Sequence, residues 1–207
     1  MLPSSKIHVA HLRRGKDVRH ANTHPFSRVF DGREFVFAHN GTLHCSPGDL
    51  DAEDFPSLGS TNSELSFGHL LTRHAGVIRE SDYPGMHAAF QAIDRYKGVD
   101  GRESTFNCTL SDGEYLAVYR DLGGHKELHR VERRPPYSPD RLVRMEVIDS
   151  NDEFSELERW RDEKRERRDG GYVFAPRRLT NEDWNALPSG QLEIVKGGEL
   201  IYSSRSP

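Results

Sequence analysis

Apolar positions along this chain fall into short groups separated by polar, glycine-rich stretches, and the spacing within each group predicts an element. Ile7-His8-Val9-Ala10-His11-Leu12 reads as a strand. Phe35-Val36-Phe37-Ala38 is short enough for a buried strand, and Asn40-Gly41 is the turn signal that ends it. Ser60-Thr61-Asn62-Ser63-Glu64 sets cap chemistry ahead of Leu65, Phe67, Leu70 and Leu71, whose spacing is helical. A second helix is expected over 86–96, with Met86, Phe90 and Ile93 on one face. Residues 106–110 and 115–119 read as paired strands around the loop Ser111-Asp112-Gly113-Glu114. The stretch 121–139 is polar and holds Gly123-Gly124 and Pro135-Pro136. Residues 152–169 carry eight acidic and six basic side chains. That mixture predicts an exposed helix with Phe154, Leu157 and Trp160 as a narrow apolar stripe. A late strand is expected at 172–175, a short capped helical turn at 180–184, and a closing hairpin of 191–195 with 200–202 around Gly197-Gly198. Strands and helices mix without a regular βαβ alternation, which predicts an α+β fold.

Composition narrows the field. A length of 207 residues is enough for one domain with a sizeable core, so 1–207 is read as a single domain. Lys and Arg number 29 against 33 Asp and Glu, and the net charge of −4 argues against a nucleic-acid partner. No apolar run approaches the length of a membrane span, so no membrane partner is expected. The two cysteines, Cys45 and Cys108, form neither a disulfide framework nor a CxxC knuckle. A reduced, cytoplasmic setting fits that usage. Six of the 11 histidines precede position 45. His8 and His11, three apart on a strand, would face opposite ways, and Asn22 and Pro25 disfavour a helix that would bring His20 and His24 together. The spacing therefore gives no metal ligand set, and packing or hydrogen-bonding roles are expected for these rings. No cofactor is expected either.

Three short segments change the picture when taken in order: Ala10-His11-Leu12-Arg13, Asn22-Thr23-His24-Pro25-Phe26 and Ala38-His39-Asn40-Gly41. With Ser60-Thr61-Asn62-Ser63-Glu64 after them, the set resembles the class II glutamine amidotransferases, whose domain is an N-terminal-nucleophile hydrolase. The match is nearest to the small stand-alone members. It continues through residues 106–113, 179–184 and 188–190, and it is weakest over 121–171. The resemblance implies a four-layer α/β/β/α sandwich and a small-molecule substrate, glutamine or a γ-glutamyl compound, cleaved at its side-chain amide. It also implies that a cysteine at the mature N-terminus is the nucleophile, with its own α-amine as base. Asn40 and Gly41 then supply the oxyanion hole through a side-chain amide and a backbone N–H. Arg13 matches the arginine that holds the α-carboxylate, with Arg14 as the adjacent alternative. Thr23, His24 and Phe26 shape or buttress the pocket. The bland alternatives are an Asn-Gly turn at 40–41, a solvated arginine and a purely packed His24.

Two departures qualify the resemblance. Where the family carries an aspartate for the substrate's α-ammonium, this chain has Asn62, which brings no charge and could also serve as a helix cap. The family's N-terminal Met-Cys is also missing, since Met1-Leu2-Pro3 leads almost at once into the His11–Arg13 segment. Neither Cys45 nor Cys108 has an α-amine beside it. The expectation is a truncated sandwich lacking its first strands, with an open sheet edge that invites association such as a homo-oligomer. Such a chain would be inactive alone. A non-catalytic binding or scaffolding relic of the same fold is the alternative, and a metal-dependent hydrolase the outlying third.

Overall fold

The computed structural model describes residues 6–12, 19–45, 48–98, 101–135 and 170–205. The chain divides into two compact units, one of residues 1–126 and 188–207 and one of residues 127–187. In chain order the elements are β1 (Phe26–Phe30), β2 (Arg33–Thr42), α1 (Asn62–Arg73), α2 (Ala75–Arg79), α3 (Tyr83–Asp94), β3 (Thr105–Ser111), β4 (Tyr115–Tyr119), β5 (His129–Arg133), β6 (Gly171–Ala175), β7 (Asn185–Ala186), β8 (Leu192–Lys196) and β9 (Glu199–Ser203). A single 3-10 turn, His20–Asn22, precedes β1.

The first unit holds a six-stranded sheet in the order β1-β2-β3-β4-β8-β9, antiparallel at every pairing. Its first hairpin turns at Asp31-Gly32, with φ of 50° and 73°. Two left-handed residues in a two-residue loop match the twist of the strands they join, and Asp and Gly tolerate that conformation best. In the middle of β2 alternate residues enter the core: Phe35, Phe37 and His39 are all buried. Phe37 lies flat on Phe67 of α1, ring centres 5.2 Å apart. Met86, Phe90 and Ile93 of α3 are fully buried, as their helical spacing requires, and Phe90 meets Phe106 of β3 edge-on. Both longer helices carry side-chain caps. Thr61 accepts the Glu64 N–H, and Asp82 accepts the Gly85 N–H.

In the second unit β5 pairs with β6 on one side and β7 on the other. Val131, Ala175 and Trp184 form its small core. Arg133 grips the Glu182 carboxylate with two bonds of 2.9 and 2.7 Å.

Four sequence expectations are corrected here. Residues 7–12 alternate between half-buried and exposed, as a strand would, yet they have no ladder partner among the described residues and are not a strand. Asn40-Gly41 is not a turn: β2 runs through it to Thr42, because β3 pairs with every residue from Val36 to Thr42. The cap of α1 is Thr61 and not Asn62. Residues 180–184 are not helical, since the Thr180 hydroxyl is taken up by Glu182 and by the Trp184 Nε1–H at 3.0 Å. The charged stretch 152–169 lies outside the described residues.

Candidate active site at the end of strand β2

Strand β2 outlasts its neighbour on one side. β1 pairs only as far as Phe26 opposite Phe37, whereas β3 continues to Thr105 opposite Thr42. Along an antiparallel strand, successive N–H groups point to opposite sides. The Thr42 N–H reaches the Thr105 hydroxyl at 2.8 Å, so even-numbered residues of β2 address β3 and odd-numbered ones address β1. The Gly41 N–H is therefore directed to the side where β1 has already ended. Gly41 is exposed and Asn40 half-buried, so a backbone donor and a side-chain amide stand side by side at an open strand end.

Glycine is required at position 41 by close approach. A Cβ there would lie 2.1 Å from the Thr105 carbonyl oxygen and 2.7 Å from His39 Nε2. His39 itself is buried and pins the strand. Its Nε2 lies 2.9 Å from the Thr105 carbonyl and its Nδ1 lies 2.8 Å from the Ser63 hydroxyl. A carbonyl only accepts, so Nε2 carries the proton and Nδ1 accepts from Ser63. Burial pushes the His39 pKa down to about 4, so the ring is neutral near pH 7.

The start of α1 closes on the same place. Asn62 donates both protons of its amide, to the Leu43 carbonyl at 2.8 Å and the Cys45 carbonyl at 3.1 Å. It thereby ties the helix to the segment leaving β2. Glu64 is buried, and its carboxylate accepts the Leu58 and Gly59 N–H groups at 2.9 and 2.7 Å as well as the Arg28 guanidinium. Asn22, also buried, exchanges hydrogen bonds with Ser60 at 2.8 and 3.3 Å. The Asn22–Phe26 segment is thus docked against the loop that enters α1. His24 is buried, stacks on His11 with ring centres 4.3 Å apart, and meets Phe26 at a tilt, 4.4 Å away. Thr23 is exposed, which leaves His24 and Phe26 as the packed members of that segment. Arg13 and Arg14 lie outside the described residues.

On the other side of Asn40 stands a loop that the sequence did not flag. Asn107 of β3 sits directly opposite Asn40 and is buried. Its Oδ1 accepts the Asp121 N–H at 2.9 Å and its Nδ2 donates to the Lys126 carbonyl at 3.2 Å. The Lys126 ammonium lies 3.2 Å from Asn40 Oδ1. Asp94 takes the Leu122 N–H at 2.6 Å and the Tyr119 hydroxyl at 2.9 Å, and burial raises its pKa to about 6. A polar residue inside the apolar run Phe106-Asn107-Cys108 was the one sequence signal for this clip.

The cysteines are elsewhere in chemical character. Cys45 is half-buried, and burial and Asp49 push its pKa up. Cys108 is buried in the core and is pushed well up by burial and then by Asp94. A nucleophilic cysteine needs the opposite shift. Among the described residues no group of three or more His, Cys, Asp and Glu side chains is placed to hold a metal ion. No helix among them is long and apolar enough to cross a membrane.

Residues 3–207 match the family model described as glutamine amidotransferases class-II. The chain belongs to that family. Among class II relatives, it is 32% identical to YafJ of Escherichia coli, assigned by inference as a glutamine amidotransferase, over 93% of this chain and 71% of that one. It is 35% identical to the uncharacterised protein MJ1515 of Methanocaldococcus jannaschii over 97% of its own length, and it spans about half of that relative, 53%. A 2.0 Å crystal structure from Pseudomonas aeruginosa PA01, of a protein predicted to be a glutamine amidotransferase, superposes with a TM-score of 0.63 at 27% identity, covering 88% of this chain and 66% of that one. Glutamine phosphoribosylpyrophosphate amidotransferase from B. subtilis superposes with a TM-score of 0.57 at 14% identity over 94% of this chain and 34% of its own, which shows the fold alone. The class II amidotransferase fold here is accordingly the α+β sandwich of the N-terminal-nucleophile type.

Proposed function

We propose that this chain forms the substrate-binding and oxyanion-holding part of an enzyme that hydrolyses the γ-amide of glutamine or a γ-glutamyl compound. The observation that carries the reading is the pair of donors at the open end of β2, the Asn40 amide and the Gly41 N–H, in a chain of this family. A thiolate adds to the γ-carbonyl, and the oxygen that becomes negative is met by those two donors. The C–N bond then breaks, ammonia or an amine leaves with a proton, and water releases the γ-carboxylate from the thioester. Arg13 pairs with the α-carboxylate and His24 buttresses the pocket wall. In this reading 1–207 counts as one domain of the family, working on a small molecule in the cytoplasm.

Cys45 and Cys108 do not suit the role of nucleophile, because burial pushes both thiols up. The reaction needs a thiol with the opposite shift, such as a cysteine at a free N-terminus. Asn62 bears on the substrate. Both of its amide protons are committed to backbone carbonyls, so it offers a substrate at most a carbonyl oxygen and no charge. A free α-ammonium therefore lacks the counter-charge that the family resemblance implies, and a substrate blocked or altered at that nitrogen fits better. The same observation favours the second reading, a binding subunit that keeps the fold without turnover.

The experiment is ammonia release from glutamine and from γ-glutamyl amides. The 207-residue chain is compared with a form carrying an N-terminal extension that begins Met-Cys. The proposal expects turnover only in the extended form and its loss in Asn40→Ala. Turnover by the 207-residue chain at the rate of the extended form overturns it. Tight binding of a γ-glutamyl compound by the extended form with no turnover selects the binding subunit.

A further inference from the structure

One end of the Asn40 amide is already taken. The Lys126 ammonium lies 3.2 Å from it, and an ammonium can only donate. The atom it touches is therefore Oδ1, and the NH2 group must face the other way. A side-chain amide without such a partner can present either its acceptor oxygen or its donor NH2 group. For an oxyanion donor, half of those orientations would repel the charge they are meant to hold.

The lysine is delivered there by a clipped loop rather than by chance exposure. Asn107 stands opposite Asn40 in the β2–β3 register, and its two amide atoms hold both ends of residues 121–126. Asp94 fixes the Leu122 N–H, so the loop is held by neighbouring elements at three places, and inside it Asp121 accepts the His125 N–H at 3.1 Å. Strand register thus sets where Lys126 emerges.

We infer that Lys126 is a positioning residue for Asn40: it fixes the amide with Nδ2 toward the reacting carbonyl and keeps positive charge behind it. The inference rests on the reading of Asn40 as an oxyanion donor. The ammonium also polarises the amide, which strengthens the Nδ2–H as a donor when negative charge develops. Lys126 touches neither substrate nor nucleophile in this scheme, so its removal loosens a donor without deleting it. Deleting an oxyanion donor costs about 100- to 1,000-fold in kcat, and loosening one is expected to cost on the order of tenfold.

Two measurements test it. The first uses the isotope-labelled 207-residue chain, in which the Asn40 side-chain NH2 signals are identified by their loss in Asn40→Ala. In Lys126→Met those signals should broaden or shift, with faster hydrogen exchange, while backbone amides of β2 and β3 stay in place. Lys126→Arg should restore them. Unchanged Asn40 signals in Lys126→Met overturn the inference, whether or not any form of the protein turns over glutamine. The second uses the extended form. Lys126→Met should lower kcat about tenfold with KM nearly constant, and should add less than about a further twofold once Asn40 is alanine. A Lys126→Met enzyme with wild-type kcat overturns the inference and leaves the amidotransferase reading standing. Absence of turnover in the extended form sinks the amidotransferase reading, and the NH2 signals still decide whether Lys126 orients Asn40.

Discussion

Asp94 offers the sharpest test of the energetics around the site, through the substitution Asp94→Asn. The carboxylate sits at the end of α3 and accepts the Tyr119 hydroxyl at 2.9 Å and the Leu122 N–H at 2.6 Å, both on Oδ2. Burial still dominates and moves its pKa from 3.8 to about 6. Well below the unfolded value of 3.8 the group is protonated in the folded and unfolded chains alike and does not affect stability. As pH rises the unfolded chain ionises first, while the folded chain keeps its proton until about pH 6. Each step upward through that window favours unfolding, and the penalty is complete above it. At about 1.4 kcal/mol per pH unit, the displacement corresponds to at most about 3 kcal/mol. Solvent screening reduces that to about 1–2 kcal/mol.

Asparagine keeps an oxygen for both donors and never acquires the charge. Urea unfolding of wild type and Asp94→Asn is to be followed at intervals from pH 4 to 7.5. The quantity to read is the difference between the two proteins, since every other titrating group cancels in it. That difference should move in favour of the variant by about 1–2 kcal/mol between pH 4 and 7. Parallel curves, with a difference constant to within about 0.5 kcal/mol, would refute the claim that burial outweighs the two hydrogen bonds.

Three further outcomes follow from the geometry. Gly41→Ala forces a methyl to within 2.1 Å of the Thr105 carbonyl oxygen, a backbone atom that cannot swing aside. It should cost about 1–3 kcal/mol or more in urea unfolding and speed amide exchange in β2 and β3. Asn62→Asp turns an oxygen toward the Leu43 and Cys45 carbonyls in place of two donated protons. A loss of about 2–3 kcal/mol is expected at pH 7, shrinking as the new carboxyl is protonated, and the same unfolding series measures it. Titration of the folded chain with a thiol reagent at pH 7 should show Cys45 reacting slowly and Cys108 only after denaturant is added. A fast-reacting thiol would contradict the upward shifts at both sites.

The strands that could be read from the sequence are those whose partners are near in the chain and whose side chains alternate cleanly. β3 with β4 and β8 with β9 satisfy both conditions. β5 does not. His129-Arg130-Val131-Glu132-Arg133 has one apolar residue, and it is a strand because β6 and β7 flank it, which nothing local reports. β1 was hidden in the same way behind a motif read for its chemistry. At Asn40-Gly41 a strong local turn preference yields to pairing with β3, a neighbour more than 60 residues away. The site shows the same division. Asn40, Gly41, His24 and Asn62 were visible because a motif carries them in order. Lys126 was not, because its bond to Asn40 spans 86 positions and lysine on a polar loop is unremarkable in sequence.

His39 decides which residues of the His39-Asn40-Gly41 segment face away from the core. Side chains alternate along a strand, so a one-residue slip of β2 against β3 would carry His39 out to solvent and drive Asn40 into the face occupied by Phe35 and Phe37. In the native register both His39 nitrogens are satisfied, by the Thr105 carbonyl and the Ser63 hydroxyl. In the slipped register those half-buried partners lose it, at about 0.5–1.5 kcal/mol each, and the Asn40 amide loses Lys126. Asn107 would shift with respect to Asn40 as well, so the loop carrying Lys126 would emerge one position away. A neutral, buried histidine thus specifies the alignment that sets Asn40 and Gly41 at the open strand end. Its price is acid sensitivity. With its pKa depressed to about 4, His39 withholds a proton that the unfolded chain accepts near pH 6.5, so the stability it contributes is lost as pH falls from about 6.5 toward 4.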